Sequence, residues 1–428
     1  MKRTLEQWLS WQETLHLSEI DLGLKRIRQV AKKLDLIAPD FPIITVAGTN
    51  GKGSSVAMLD AILKAQGYKT GNYTSPHLVK YNERIKLQGF NVDDELIISA
   101  FERIDQARGE ISLTYFEFST LAAMLIFTQE EVDVAILEVG LGGRLDAANL
   151  WDASLALITS IDIDHVDWLG DNRETIAIEK AGIMRSNTPA VCGDPNPPKS
   201  IDSEAQKIGS ILFQIDKDFS FELNDKEEWI WKNKKSKLTL PHPALKGDFQ
   251  INNAATVIAG LKAIQTILPV TEDAIKEGLK KANAQGRLQV ISKSPEWLID
   301  VAHNPHSAEQ LAKYLKQNPV TGKTFALFSM LKDKDITQVL SFMDQVIDEW
   351  HITGLESTRG LTINELKQQI TRQNPRGNVI PHNSLFEGCQ SLKNITNSKD
   401  RVVAFGSFLV VSDVITYFNK KGLLNHYG

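Results

Sequence analysis

Residues 42–66 set the strongest constraint on how this chain can fold. Pro42–Ala47 (PIITVA) is a short apolar run. Gly48-Thr49-Asn50-Gly51-Lys52-Gly53-Ser54 is a glycine-rich turn, and Ser54–Gln66 carries a helical pattern. β-Branched residues favour a pleated strand, and glycines permit the sharp reversal into a helix. An apolar strand that feeds a helix in this way belongs in a parallel sheet covered on both faces. The pattern recurs downstream. Lys69–Thr74 reads as a strand, Phe118–Glu130 as a helix, and Val132–Val139 as a strand ending in Gly140, Gly142 and Gly143. Ser154–Ile161 is a further strand, ending in Asp162, Asp164 and His165.

Phe213–Leu240 interrupts this rhythm and is expected to form a small antiparallel excursion, with Lys232, Lys234, Lys235 and Lys237 solvated on a hairpin. A helix is expected from Gln250 to Ile264. After Asn283-Ala284-Gln285-Gly286 the alternation restarts, with strands at Leu288–Ile291, Trp297–Val301, Thr324–Ser329, Glu349–Thr353 and Arg401–Phe405 and a helix at Pro305–Leu315. The expected architecture is α/β in two domains, residues 1–285 and residues 286–428, divided at the turn near Gly286.

Composition narrows the function. The 428 residues carry 48 basic and 53 acidic side chains, a net charge of −5. This argues against a protein built to neutralise many phosphates of a nucleic acid, but not against small anionic ligands held at a local site. Cys192 and Cys389 are far apart, with no C-x-x-C, so neither a disulfide framework nor a zinc knuckle is expected. No secretory signal and no run of 18 apolar residues is seen. A cytoplasmic protein, without a membrane or nucleic-acid partner, is the expectation.

The chemistry gathers at strand ends. The 48–54 turn can wrap an anion with successive N–H groups at a helix N-terminus, with Lys52 supplying a full charge. Its spacing differs from the usual phosphate loop, because Gly53 separates Lys52 from Ser54. Glu138 ends one apolar strand and His165 follows another, and ligands bind at the carboxyl ends of parallel strands. A carboxylate and an imidazole beside a triphosphate suggest a divalent metal. Lys180 lies on an amphipathic helix, Arg173–Ile183, where a lysine is usually solvated. Arg287, Asp300 and His303 flank a strand of the second domain and fit groups that reach a nucleotide; His303 and His306 lack the further ligands of a metal pair.

The turn at 48–54 resembles the nucleotide loop of the Mur-ligase superfamily. Further blocks narrow the resemblance: Tyr73-Thr74-Ser75-Pro76-His77-Leu78, Glu138 through Asp146, Asp164-His165 through Gly170, Glu179-Lys180-Ala181-Gly182-Ile183, and Asp300 through Pro305. Together, in order over both domains, they resemble the folylpolyglutamate synthase/dihydrofolate synthase family, closest to its bifunctional bacterial branch. The resemblance implies a P-loop-type ATPase domain that also binds a pterin, followed by a smaller Rossmann-like glutamate-ligase domain. It implies that Thr49, Asn50, Gly51, Lys52, Gly53 and Ser54 bind ATP phosphates, that Asn253 lies beside adenine, and that Arg287 and Asp300 contact the nucleotide. Ser75, Glu138 and His165 look like the ligands of one Mg²⁺. Lys180 matches a lysine that is N6-carboxylated and helps hold a second Mg²⁺, and K⁺ is an implied activator. Lys52, Lys180 and His303 are the implied catalytic groups. Thr14-Leu15-His16, Thr114-Tyr115-Phe116-Glu117 and Leu145-Asp146-Ala147 look like pterin-site segments, as does Asp167-Trp168-Leu169-Gly170. Ala148 departs from the family pattern, which often has threonine there.

The implied substrates are dihydropteroate, folates, L-glutamate and ATP, and the implied assembly is a monomer. The expected reaction activates a carboxylate as an acyl phosphate, which the glutamate amine then attacks. The alternative is a Mur-type ligase acting on a cell-wall precursor or another carboxylate. The aromatic, uncharged Thr114-Tyr115-Phe116 segment suits a flat pterin better.

Overall fold

The computed structural model describes residues 3–423 except 17, 19, 225–227 and 374. The chain divides into two compact units. The first holds Met1–Ala244 and Gln250–Ala282; the second holds Leu245–Phe249 and Asn283–Gly428. The division thus falls slightly before Gly286, and a five-residue segment upstream, Leu245–Phe249, clusters with the second unit.

The first unit is built on eight strands: β1 Ile43–Ala47, β2 Thr70–Tyr73, β3 Ile85–Leu87, β4 Phe90–Asn91, β5 Val134–Glu138, β6 Leu155–Ile158, β7 Pro189–Cys192 and β8 Ile211–Gln214. They lie in the order β4-β3-β2-β5-β1-β6-β7-β8. From β2 to β8 every neighbouring pair is parallel, and β3 and β4 add an antiparallel edge. Strands β1, β5 and β6 are buried along their whole length, which explains their unbroken apolar sequence. Their alignment places the carboxyl ends of β2, β5, β1 and β6 side by side, so the loops that follow these strands are neighbours.

The unit's helices are α1 Leu5–Leu15, α2 Lys25–Lys33, α3 Lys52–Gln66, α4 Asp94–Arg108, α5 Tyr115–Gln129, α6 Val166–Leu169, α7 Arg173–Ala181, α8 Lys199–Ile208, α9 Phe249–Ala263 and α10 Glu272–Lys281. Helix α3 begins at Lys52, earlier than the expected Ser54, because Gly51 takes the left-handed N-cap at φ +89°. Helix α5 is buried almost all round, and its apolar sequence shows little amphipathic stripe for that reason.

The antiparallel excursion is a three-stranded sheet, β9 Phe219–Leu223, β10 Glu228–Asn233 and β11 Lys237–Pro241, in the order β11-β10-β9. Phe213 does not belong to it. That residue lies in β8, paired parallel with β7 at the edge of the main sheet. Trp229 and Trp231 anchor the small sheet and are fully buried, while Lys232 pairs with Glu222 and Lys234, Lys235 and Lys237 stay exposed.

The second unit has six strands, β12 Gln289–Lys293, β13 Glu296–Ile299, β14 Thr324–Phe328, β15 Glu349–Thr353, β16 Asn378–His382 and β17 Arg401–Phe405. Their order is β12-β13-β17-β14-β15-β16, parallel except for β12. Helices α11 Pro305–Gln317, α12 Ile336–Met343, α13 Ile363–Arg372, α14 Leu385–Ile395 and α15 Phe408–Lys420 alternate with the strands. Asn304 caps α11 by accepting the Ser307 N–H, and Pro305 opens it with its φ already helical.

Candidate active site

The loop after β1 is stapled to the loop after β6. Thr49 N–H donates to Ser160 O at 2.7 Å, and Asp162 N–H donates to Thr49 Oγ1 at 3.0 Å. Asn50 N–H donates to Ser160 Oγ at 3.2 Å, while Thr159 Oγ1 donates to Asn50 O at 2.6 Å. Lys52 Nζ folds over its own loop, donating to Gly48 O at 3.0 Å and Thr49 O at 3.3 Å. Gly51 has no room for a side chain: a Cβ there would lie 2.6 Å from Asn253 Oδ1. Asn253, on α9, therefore sits against the N-terminus of α3. Its Nδ2 donates to Gln250 Oε1 at 3.0 Å, and Gln250 Nε2 donates to Ser54 Oγ at 3.1 Å. The expected phosphate residues and the expected adenine-side asparagine thus form one continuous cradle in the first unit.

Glu138 closes β5 and is buried, and Ser75 N–H donates to its Oε2 at 3.4 Å. This brings together two of the three expected metal ligands. His165 holds a left-handed backbone, φ +53° and ψ +46°, with its N–H on Asp164 Oδ1 at 2.8 Å. A non-glycine residue at positive φ is uncommon and marks a locally imposed geometry. Among the described residues no three His, Cys, Asp or Glu side chains form a ready-made metal cage. A serine hydroxyl, a carboxylate and an imidazole can still bind a hard dication, because Mg²⁺ keeps waters and phosphate oxygens in its shell.

Lys180 corrects the expectation of a solvated lysine. It is only 3 % exposed, because the last turn of α7 packs under the loop that follows β5. That approach requires Gly143, whose Cβ would lie 2.6 Å from Glu179 O. Its neighbour Glu179 is half-buried and binds Arg144 at 2.8 Å. Burial, reinforced by the charge of Lys52, lowers the Lys180 pKa to about 7, while Asp164 and Asp146 pull it back up. Asp146 is buried too. It accepts the N–H groups of Leu141 at 2.8 Å and Ala148 at 2.9 Å, and burial pushes its pKa up to about 7 against these bonds and Lys52. Lys52, Asp146, Asp164 and Lys180 therefore share one electrostatic neighbourhood.

The expected pterin segments are each tied to neighbouring elements of the first unit. His16 Nδ1 shares a hydrogen bond with Ser112 Oγ, just before α5. Thr114 caps α5 with Glu117 in a reciprocal box, and the Phe116 ring lies 5.7 Å from that of Tyr73. Leu145 O accepts the Gly23 N–H at 3.2 Å, and Ala147 begins a short 3₁₀ turn capped by Asp146. Leu15 is half-buried. Thr14 is exposed and spends its hydroxyl on Trp11 O at 2.9 Å. In the fourth expected segment, 167–170, Trp168 is 47 % exposed, as is Val166 just before it. Sequence reasoning missed Arg84, a buried guanidinium that donates to His77 Nδ1 at 2.9 Å and lies 5.3 Å from the Tyr115 ring centre. Burial, with Arg84 next, lowers the His77 pKa to about 4. Nothing in the local spelling around Arg84 marks it; only the fold brings it to Tyr115.

In the second unit, Asp300 follows β13 and accepts the N–H groups of Leu288 and Ala302, each at 2.8 Å. His303 Nδ1 lies 2.7 Å from Val301 O, so Nδ1 carries the proton and Nε2 is the acceptor in the neutral ring. Arg287 and His303 both lie against Phe408, at 5.4 Å and 5.9 Å from its ring centre. These three expected residues form one cluster within that unit.

A family model described as the Mur ligase middle domain matches residues 46–261, and one described as the Mur ligase glutamate ligase domain matches residues 286–408. The chain is 42% identical over 412 residues to the dihydrofolate synthase/folylpolyglutamate synthase of Escherichia coli, covering 96% of this chain and 94% of that protein. The chain belongs to the folylpolyglutamate synthase/dihydrofolate synthase family of Mur ligases. The namesake from Haemophilus influenzae is also 42% identical, with 96% of each chain covered. Among solved structures of this family, Escherichia coli FolC in complex with DHPP and ADP matches with a TM-score of 0.93 and 41% identity, covering 98% of this chain and 99% of that one. A family structure with Mn, AMPPNP and L-glutamate bound matches with a TM-score of 0.90 and 41% identity, over 97% and 98% of the two chains. The fold expected from the resemblance, a parallel-sheet nucleotide domain followed by a separate α/β domain, is the fold observed.

Proposed function

We propose that this chain is an ATP-dependent amide ligase that adds L-glutamate to dihydropteroate and to tetrahydrofolate or folylpolyglutamate. The observation that carries the reading is that the 48–54 loop and Glu138 with Ser75 stand at the ends of adjacent parallel strands, with buried Lys180, on α7, in the charge neighbourhood of Lys52. A free carboxylate does not react with an amine, because its leaving group would be oxide. Transfer of the ATP γ-phosphoryl group makes an acyl phosphate and releases ADP; attack by the glutamate amine then forms the amide and releases phosphate. In this reading Thr49–Ser54 hold the triphosphate through backbone N–H groups, and Lys52 leaves its loop carbonyls to neutralise the transferred group. Asn253 lies beside adenine, and Arg287, Asp300 and His303 are assigned to the nucleotide and the transferred phosphoryl group. The Thr14–His16, Thr114–Glu117 and Leu145–Ala147 segments take the pterin. Residues 1–285 thus serve ATP and pterin, and 286–428 the glutamate ligation.

Ser75, Glu138 and His165 would hold Mg²⁺, which screens phosphate charge when bound. The lowered pKa of Lys180 supports its N6-carboxylation: a neutral amine forms an N–C bond to CO₂ and loses one proton. The product is an anion where a cation stood, and it suits a second Mg²⁺. K⁺ activation rests on the family resemblance, as does the monomeric state. None of the described helices is long and apolar enough to cross a membrane; the cytoplasmic location rests on the family resemblance.

One assay tests the reading. Purified chain, ATP, Mg²⁺ and glutamate are incubated with dihydropteroate or tetrahydrofolate, and the products are separated by mass. Glutamylated pterins with matching ADP release are expected, and Glu138→Ala should abolish turnover at limiting Mg²⁺. Turnover confined to a nucleotide-linked acid would shift the assignment to a cell-wall type of ligase.

A further inference from the structure

The second unit holds a buried chain of titratable groups that uses none of the residues of the site described above. It crosses from β15 to β16, the outermost pair of the six-stranded sheet. His351 Nε2 lies 3.1 Å from Glu349 Oε1, and His351 Nδ1 lies 2.8 Å from His382 Nε2. In register His351 stands opposite Ile380, so its bond runs diagonally to the next residue on the same face. The His351 side chain is 1% exposed, and His382 is buried. Glu349 fixes the protons of the chain. A carboxylate only accepts, so His351 Nε2 carries its proton, Nδ1 is bare, and His382 Nε2 donates to it. A proton on His351 Nδ1 would set two N–H groups against each other.

Strand β16 has a neighbour on one side only. Of its five residues only His382 is buried, and Pro381 has no N–H to give the ladder. On the face that holds the two imidazoles, β14 presents neutral Phe325, its ring centre 6.0 Å from that of His351. Helix α14 covers His382 through Gly388, whose Cβ would lie 3.4 Å from His382 Cδ2. That helix brings Glu387, whose charge His382 feels, and Cys389, whose thiol burial pushes up to about 12. On the opposite face Trp350 and Ile352 join Leu366 and Ile370 of α13 in an apolar cluster.

We propose that Glu349, His351 and His382 form a pH-sensitive latch that holds edge strand β16 on the sheet at neutral pH and lets it open in mild acid. Strand β15 is held on its other side by β14, so the opening stops at β16. Burial lowers the pKa of both imidazoles from 6.5, while Glu349 and Glu387 oppose the shift. With folded values below 6.5, the stabilisation is full above pH 6.5 and is lost as pH falls below it. The latch is independent of the ligase reading, and its test needs no substrate.

The test is hydrogen exchange on the full-length chain at pH 7.5 and pH 5.5, each amide corrected for its own pH-dependent chemical rate. Protection of the β16 amides should fall about tenfold, because one pH unit below 6.5 a released imidazole is protonated about ten to one. Protection of β14 and β17 should stay within about twofold. His382→Gln puts an amide donor near the Nε2 position without a titrating ring, and should shrink the fall. His351→Asn combined with His382→Gln should flatten it to within about twofold. If the double variant does not fold, His382→Gln decides, and an unshrunk fall in it overturns the proposal. Equal β16 protection at the two pH values in the wild type also overturns it, as does a fall of the same size in β14 and β17 or in the double variant.

Discussion

Asp146, in the loop after β5, and Asp300, directly after β13, each accept two backbone N–H groups, one of them two residues on. Burial raises the pKa of both. Their partners differ. Asp146 feels Lys52 and influences Lys180, whose pKa is lowered to about 7, whereas Asp300 is held by Arg287. A lysine can give up its proton in a protein and an arginine cannot. The first unit therefore sets its buried aspartate beside cations that can lose their charge, and the second sets its own beside one that cannot.

The largest expected effect tests that difference directly. Lys180→Met keeps the buried volume and removes the amine, so kcat should fall about a thousandfold, the scale of losing a preorganised charge in a phosphoryl-transfer site. Thermal unfolding should not be lowered, and short carboxylic acids should restore part of the activity. A fully active Lys180→Met would erase the contrast.

Asp300→Ala should lower stability as well as nucleotide affinity. It leaves two buried N–H groups unpaired, at about 1–3 kcal/mol each. Hydrogen exchange should show the loss at the Leu288 and Ala302 amides, with first-unit amides unchanged. A smaller effect comes from the crowded 48–54 loop of the first unit. Gly51→Ala forces a Cβ toward Asn253 and a left-handed alanine, a cost of about 1–2 kcal/mol for the backbone alone. ATP affinity measured by calorimetry should fall about tenfold.

The subtlest test is the pH dependence of stability in the metal-free enzyme without CO₂. The folded pKa of Asp146 is raised from 3.8 to about 7, so its contribution is full below pH 3.8 and is lost as pH rises toward 7. The folded pKa of Lys180 is lowered from 10.5 to about 7, so its contribution is present above pH 10.5 and is lost as pH falls toward 7. The two together predict a dip near pH 7. Asp146→Asn should flatten the acid limb and Lys180→Met the alkaline limb. An unchanged curve in both variants would deny the shifts their cause.

Much of this arrangement could be read from the chain before folding. The unbroken apolar runs of β1, β5 and β6 required a covered parallel sheet, and a parallel sheet gathers its functional loops at one edge. That much located the 48–54 loop, Glu138 and His165. Other parts left little local trace. Helix α2 shows mostly lysine and arginine, yet it buries Ile27, Val30 and Ala31. The β3–β4 edge is too short to carry an alternation, and Phe213 looked like part of the excursion because edge strand β8 is only partly buried.

Sequence alone settled the order of the buried central strands and the helices beside them, because backbone preference and hydrophobic period are local properties. It also settled which chemical groups stand at strand ends. Whether Lys180 or its neighbour Glu179 faces water was decided only in three dimensions, where Gly143 lets a loop from far up the chain cover the lysine. The same holds for Arg84 against Tyr115 and for Arg26 between Asp21 and Glu117. Burial and electrostatic coupling depend on which distant segments meet, and that is a property of the packed fold.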